Sequence, residues 1–457
     1  MKPPSVTPEP PRPRPFRVAI IGGGLAGLSL VLSLQKFCSD RDALSIDLYD
    51  AAATFTEVGA GITIWPRTVA LLRELGIADG LHNLSVDEVA FRMRKGDQPE
   101  GYNFYDVRFP DGPPHRLLRA DLQKRLLSRL RDGPGIHLAR SLVGMQQNHD
   151  KVIDPVTLTF ADGSTATCDL VVGADGVHST VRRLAIEEEC RRMTTKGVTY
   201  DTDLRELAAS ARAEWSGRFA YRGMANASAL PSGHPSLHVP MRYVGADRQV
   251  ITYPLSSKPA INVLTMVRAG GAPPNAQATQ APREEVVAAF AGWEPSVCQL
   301  LHAMNEGAAT LPRWALLAVR PPRSYIFDRA VLVGDAAHAM LPYLGVGAGV
   351  AIDDGFALGR LLGAWVIGTR SHAKVEATLH AYEDLRGPLT REMHARSLAS
   401  AEGLELGGAF DELRGKELGE QAPHLIELAK VLGETTREGN IWAGERCAES
   451  NMTSTSH

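Results

Sequence analysis

The chain has 457 residues, 44% of them hydrophobic and 22% charged, which suits a large buried core and excludes a single small module or a mainly disordered polymer. Its net charge of −3 excludes a dedicated binder of nucleic-acid backbone. Five widely spaced cysteines, Cys38, Cys168, Cys190, Cys298 and Cys447, show no CxxC pattern, so neither a disulfide framework nor a metal site is expected, and a reducing, cytoplasmic location is.

Residues 1–15 are rich in proline and lack the apolar core of a signal peptide, so a disordered arm outside the fold is expected. Phe16 to Ile21 reads FRVAII, an apolar run of strand formers that stops at three glycines. Leu25 to Phe37 then repeats apolar residues at helical spacing, and SIDLY, ending before Asp50, supplies a second strand. Together these form the opening of a nucleotide-binding βαβ unit. Next comes PRTVALLRELG from Pro66, a helix with proline at its first turn and glycine past its end, expected to pack on the opening sheet. Leu118 to Arg131 reads as a basic amphipathic helix. Val156 to Phe160 and Ser164 to Cys168 form a hairpin around Asp162-Gly163, and Asp169 to Gly173 is a buried strand. After about Arg183 the composition shifts to β-rich pieces such as RQVITYPL and INVLTMV, expected to build an antiparallel sheet. A short strand at Ala330 to Val333 returns to the nucleotide domain. Its following helical candidate, Gly347 to Ile367, is the longest apolar one. It carries Asp353, Asp354 and Arg360, so no transmembrane segment is expected. From Lys374 to about Leu432 the pattern is mostly helical.

The expected fold is therefore α/β. A discontinuous Rossmann-like domain (16–183 and 326–400) encloses a β-rich substrate domain with interleaved helices (184–325), and a C-terminal helical region and tail follow (401–457).

Three motifs carry chemistry. Gly22-Gly23-Gly24-Leu25-Ala26-Gly27 fits GxGxxG directly between a strand and a helix: Gly22 for the tight turn, Gly24 for close approach to a pyrophosphate, Gly27 for helix–strand packing. Asp50 is placed to accept from an adenosine ribose. These elements alone do not separate NAD from FAD. DLVVGADGVHSTVR at Asp169 to Arg182 runs a strand into Asp175-Gly176. VLVGDAAHAMLPYLGVGAGVAIDD at Val331 to Asp354 delivers Asp335 to a loop ahead of a helix start, where a helix N-terminus can stabilise developing negative charge.

In this order, over residues 16 to about 390, GGGLAG, EVGAGITIWP, Arg119-Ala120-Asp121-Leu122, GADGVHSTVR and GDAAHAMLP resemble the class A flavoprotein aromatic hydroxylases, especially their salicylate hydroxylase-like branch. The resemblance implies an FAD-dependent monooxygenase that takes electrons from transiently docked NADH or NADPH. It forms a flavin hydroperoxide with molecular oxygen and transfers oxygen to a small phenolic substrate. Carried over by residue, it implies that Asp50 holds the adenosine ribose, Arg119 the pyrophosphate or ribityl region and Asp335 the ribityl chain. Ala60 and Gly61 would border the flavin, Gly347, Ala348 and Gly349 would start the helix under its pyrimidine edge, and Asp175 would touch both FAD and NAD(P)H. One departure stands out: where the salicylate branch often reads His-Gln-Gly-Gln-Gly after the position of Pro342, this chain has Tyr343-Leu344-Gly345-Val346-Gly347.

A cation or hydrogen-bond partner at a phenol oxygen makes the ring more electron-rich and lowers the barrier to oxygen transfer. Arg222 in YRG and Tyr253 in TYPL lie in strands of the middle region and resemble a pair that phenol-hydroxylating relatives use. They are the expected catalytic pair. His234 and His238 lie nearby, with His238 taken as a substrate contact, and Pro342 is expected to present its carbonyl beside the flavin. His338 is expected to support its loop through backbone hydrogen bonds. A flavoprotein of the same fold acting on a polyketide-type phenol, and a non-enzymatic escort-type binding module, are the competing readings. Simple hydroxylation, hydroxylation with loss of a carboxylate and dearomatisation begin with the same oxygen transfer, so the motifs leave all three open. Oligomeric state is not encoded in any of these motifs.

Overall fold

The computed structural model describes residues 14–55, 61–77, 89–108, 113–147, 155–197, 202–255, 259–271, 274, 277–366 and 372–404. Ala60 and everything after residue 404, including Cys447 and nearly all of the expected C-terminal region, lie outside them.

The opening strand Phe16–Ile21 pairs in parallel with Leu44–Tyr49 on one side and Leu170–Gly173 on the other. Gly135–His137 extends the sheet beyond Leu44–Tyr49. Ala330–Leu332 pairs in parallel with Leu170–Gly173, so the nucleotide sheet is completed by chain more than 150 residues downstream. Strands buried on both faces read as continuous apolar runs, and Leu170–Gly173 is buried throughout. The glycine-loop helix Leu25–Phe37 covers this sheet and packs closely on helix Gly347–Leu361. Leu28, Leu30 and Leu34 are fully buried in the resulting core, each worth about 1.5–3 kcal/mol of burial.

The hairpin at Asp162-Gly163 forms as expected between Val156–Phe160 and Thr165–Cys168, while Leu118 to Arg131 gives strand residue Leu118 and then helix Arg119–Arg129. Helix Pro66–Glu74 also forms. It packs against helix Gly347–Leu361, is tied to it where Thr68 Oγ1 donates to Asp353 Oδ1 at 3.0 Å, and buries Val69 and Leu72 in the core that the sheet shares.

The middle region builds an eight-stranded sheet. Glu214–Asn226, Ala260–Arg268, Arg248–Pro254 and Met241–Gly245 are successive neighbours within it, joined antiparallel. The sheet also takes two strands from the segment expected to belong to the first nucleotide part. Val89–Lys95 pairs in parallel with Met241–Gly245, and Tyr102–Arg108 forms the edge. Its alternation explains the docking. Phe91 and Met93 face the interior, while Arg92 and Arg94 on the other face pair with Asp106 and Glu294.

The Pro-rich arm is not wholly outside the fold. Arg14, expected to be disordered, makes a two-point ion pair with Asp169 at 2.7 and 2.9 Å, at the start of a core strand. Among the described residues the longest helix is His372–Leu404, with Pro388 inside it, and the apolar candidate from Gly347 ends as a regular helix at Leu361. Among the described residues, no helix is long and apolar enough to cross a membrane, and no group of three or more His, Cys, Asp or Glu is placed to hold a metal ion.

Candidate active site

A cavity of about 280 Å³ lies between the two sheets. Its nucleotide-side wall starts at the glycine turn. Gly22 has φ +109, and a Cβ there would sit 2.3 Å from the Ala174 carbonyl oxygen, so the turn depends on glycine. Gly27 packs on the same turn: a Cβ there would lie 2.0 Å from Gly22 O. Gly24 faces the cavity at the start of helix Leu25–Phe37, whose first N–H groups have no intrahelical partner, and Arg119 lines the cavity beside it. Asp50 Oδ2 accepts from Gly23 N at 2.7 Å and its Oδ1 from Ala52 N at 2.8 Å, which sets the carboxylate against the loop.

Opposite the turn stands Asp335, an exposed carboxylate lining the cavity, held in place from behind by buried charge. Asp354 accepts from Gly334 N at 2.9 Å, from His338 Nε2 at 2.6 Å and from Arg386 Nε at 2.7 Å, all three side chains being almost fully buried. Burial alone would raise the Asp354 carboxyl, but His338 and Arg386 hold it down to about 2. His338 therefore does support the loop, through a carboxylate and not through the backbone bond expected. Arg182 ties the second motif to the third. Its buried guanidinium donates to Val177 O at 2.7 Å and Ala336 O at 2.8 Å.

The other wall is one face of the eight-stranded sheet. Arg222 pairs with Leu264, Leu264 with Ile251, Ile251 with Arg242 and Arg242 with Met93, giving one lateral row. Two residues along each strand, Asn262 and Tyr253 form a second row on the same face, with Phe91 beside them. The short strand Gly61–Ile64 and the turn Met340 to Gly345 close the sides. Tyr253 is buried next to Thr63, with which it shares a hydrogen bond. Burial pushes its hydroxyl up to about 12 despite the nearby cations Arg116 and Arg222. Arg222 is lowered by burial, then raised by Tyr253 and lowered by Arg119, so these three groups sense one another across the cavity.

Most of the residues expected from sequence meet here. Gly24, Gly61, Arg119, Asp335, Gly347, Ala348, Arg222, Tyr253 and Pro342 all line the cavity. Four expectations change. His238 is exposed at the end of the short turn Pro235–Leu237 and does not line the cavity, because that turn packs on the other face of the sheet, where Thr252 Oγ1 donates to Ser236 Oγ at 2.8 Å. Asp175 spends its carboxylate on the helix Thr180–Thr195, accepting from Ser179 Oγ at 2.5 Å and Thr180 N at 2.7 Å, and its neighbours Ala174 and Gly176 line the cavity instead. Gly349 packs against Thr68. The Pro342 carbonyl accepts from Gly345 N at 3.2 Å, closing its own turn. His234 is structural: Nδ1 accepts from Ser236 N and Nε2 bonds Ser296 O. Sequence reasoning missed Arg242, Asn262, Phe91 and Met93. For Arg242 there was a signal, an arginine set between Met241 and Tyr243 in an apolar strand.

The nucleotide-side residues fit a bound FAD. Free helix N–H groups and Arg119 suit a pyrophosphate, Asp335 suits ribityl hydroxyls, and at Gly176 and Gly347 an added Cβ would meet nothing within 4 Å, so space is left along the wall. The sequence profile of the FAD binding domain family matches residues 16–397. A salicylate hydroxylase of Pseudomonas putida is 30% identical over 427 residues, covering 88% of this chain and 90% of the relative. A 3-amino-4-hydroxybenzoate 2-monooxygenase of Streptomyces platensis is 31% identical over 388 residues, covering 83% and 86%. The solved structure described as a salicylate hydroxylase substrate complex superposes with a TM-score of 0.74 at 26% identity, covering 96% of this chain and 97% of that one. These findings set the escort-type reading aside. The chain belongs to the FAD binding domain family and, within it, to the FAD- and NAD(P)H-dependent aromatic monooxygenases of the salicylate hydroxylase type.

Proposed function

We propose that this enzyme hydroxylates a phenolic acid or a closely related small aromatic, with Arg222 and Tyr253 as its catalytic pair. The observation that carries the reading is Arg222 itself: it lines an otherwise largely apolar pocket beside the Tyr253 hydroxyl, and no acidic side chain pairs with it among the described residues. An arginine in such a place stabilises an anion brought by the substrate.

FAD, when bound, supplies the two-electron chemistry that turns molecular oxygen into an electrophilic donor. Gly24 and the N-terminus of helix Leu25–Phe37, Asp50, Arg119, Asp335, Gly347 and Ala348 would hold it. Arg222 stabilises the phenolate form of the substrate, enriching the ring carbons that are attacked. Tyr253 remains protonated at neutral pH, so it donates a hydrogen bond to the phenol oxygen. Thr63 donates a hydrogen bond to the Tyr253 oxygen, which orients the Tyr253 hydroxyl hydrogen toward the substrate. Phe91, Met93, Ile251 and Leu264 exclude water from the ring.

The test is NAD(P)H oxidation by the FAD-loaded protein over a panel of hydroxybenzoates, with products identified by mass. A phenolic acid should stimulate oxidation and gain one oxygen, with or without loss of its carboxylate. If no phenol of any kind stimulates oxidation, the reading is wrong.

A further inference from the structure

Arg116 is buried behind the cavity wall and does not itself line the cavity. It belongs to a two-stranded ribbon in which Gly61–Ile64 pairs antiparallel with His115–Leu118, and this ribbon lies against the row formed by Tyr253 and Asn262. Three contacts hold it there. Gly61 N donates to Asn262 Oδ1 at 3.1 Å, Thr63 bonds the Tyr253 hydroxyl, and Arg116, directly opposite Thr63 in the ribbon, extends over the Tyr253 ring. Opposite residues of an antiparallel pair point to the same face, so Thr63 and Arg116 reach one tyrosine together, the first at its hydroxyl and the second at its π-face.

The guanidinium lies between two rings. Its carbon stands 5.6 Å from the centroid of Tyr253 and 4.9 Å from that of Phe91, and its Nη2 donates to Ala90 O. Phe91 and Tyr253 occupy one lateral row, two strand spacings or about 10 Å apart, and the cation fills the gap between them. Burial lowers the guanidinium to about 10, so it stays charged at neutral pH. Burial raises the Tyr253 hydroxyl, and of the cations that oppose this Arg116 has the larger effect and Arg222 the smaller.

We infer that Arg116, wedged between Phe91 and Tyr253, is a positioning residue for the reaction: it fixes the Tyr253 ring in the cavity wall and makes its hydroxyl a stronger hydrogen-bond donor to the substrate oxygen. This rests on the catalytic role proposed for Tyr253 and deepens it. A cation on the face of a phenol ring is held by the ring's negative π-face and polarises the O–H bond away from the oxygen. Arg222 thus meets the substrate from inside the cavity, while Arg116 acts on Tyr253 from behind. The strand that carries Arg116 runs directly into helix Arg119–Arg129, so the same ribbon joins the tyrosine to the cofactor wall.

The experiment compares FAD-loaded wild type, Arg116→Gln, Arg116→Lys, Tyr253→Phe and the Arg116→Gln/Tyr253→Phe double variant. It reads kcat/KM on the hydroxybenzoate that the wild type turns over fastest, the pKa of bound 4-nitrophenol from its absorbance, and FAD content. Arg116→Gln keeps a donor for Ala90 O and removes the charge. It should lower kcat/KM about twofold to tenfold, within the reach of a buried cation–π contact and no further than Tyr253→Phe does. It should also raise the pKa of bound 4-nitrophenol, because the phenolate form loses part of a hydrogen bond. Arg116→Lys should recover part of both effects, and in the Tyr253→Phe background Arg116→Gln should change neither. Wild-type values in Arg116→Gln overturn the inference. So does the same fold-loss with and without the Tyr253 hydroxyl, which means that Arg116 does not act through it. Loss of FAD from both the Gln and Lys variants overturns it as well and marks Arg116 as a prop for the ribbon. If Tyr253→Phe is impaired and Arg116→Gln is not, only this inference falls, whereas a fully active Tyr253→Phe removes the catalytic pair and this inference with it.

Discussion

On the nucleotide side the cavity is lined by glycines, helix ends and a few polar side chains that follow directly in sequence from strands. On the substrate side it is lined by single side chains from strands that pair across distant parts of the chain. The first wall depends on where the backbone can go, and the second on which residues a register brings side by side. A motif can therefore encode the first, whereas the second is legible only once strand neighbours are known.

Damage to the nucleotide wall should appear as lost fold or lost FAD. Asp354→Asn leaves Arg386 and His338 facing a neutral amide in a buried site, at a cost of about 3–5 kcal/mol. Because the folded carboxyl is held at about 2 and an unfolded one titrates near ~4, this contribution is complete above pH ~4 and lost as pH falls toward 2. The Tm gap between wild type and variant should thus be wide at pH 7 and narrow at pH 3, and a gap independent of pH would refute the assignment. Gly22→Ala places a Cβ 2.3 Å from Ala174 O at φ +109, for about 3 kcal/mol of strain. Purified variant should carry little FAD, and a yellow, fully loaded protein would show that the turn is not backbone-limited.

Substitutions on the substrate wall should separate catalysis from cofactor retention. Arg222→Ala is expected to lower kcat/KM for a phenolic acid roughly tenfold to a hundredfold, and Tyr253→Phe by roughly twofold to tenfold, each keeping FAD. Equal activity in both variants would remove the pair from the site. The smallest effect is expected at the edge of the nucleotide sheet. Arg14 is 58% exposed in its pair with Asp169, so Arg14→Ala should change stability by less than about 1 kcal/mol and leave FAD binding intact. A larger shift would mean that the proline-rich arm is an integral part of the sheet.

Much of the nucleotide wall was legible in advance because its signals are local. Gly22, Gly24 and Gly27 fit between an apolar run and a helical repeat, and Asp335 follows a strand that ends in glycine. Arg222 and Tyr253 were found by resemblance and meet in the cavity. His238 was misplaced because the turn before it packs on the face of the sheet away from the cavity, and Asp175 because its carboxylate caps the helix that follows it. The contribution of Val89–Lys95 to the substrate sheet had no local signal, since its parallel partner lies some 150 residues downstream.

The amino-acid order by itself determined an α/β nucleotide-binding domain with a glycine turn and an acidic loop, because those features arise from residues adjacent in the chain, and the flavin followed from the resemblance of its motifs to a known family. Only the folded molecule decided which strands share a face, and thereby that Arg242 stands in line with Arg222. Lateral neighbours in a sheet are set by hydrogen-bond register between segments far apart in sequence, which no local pattern records.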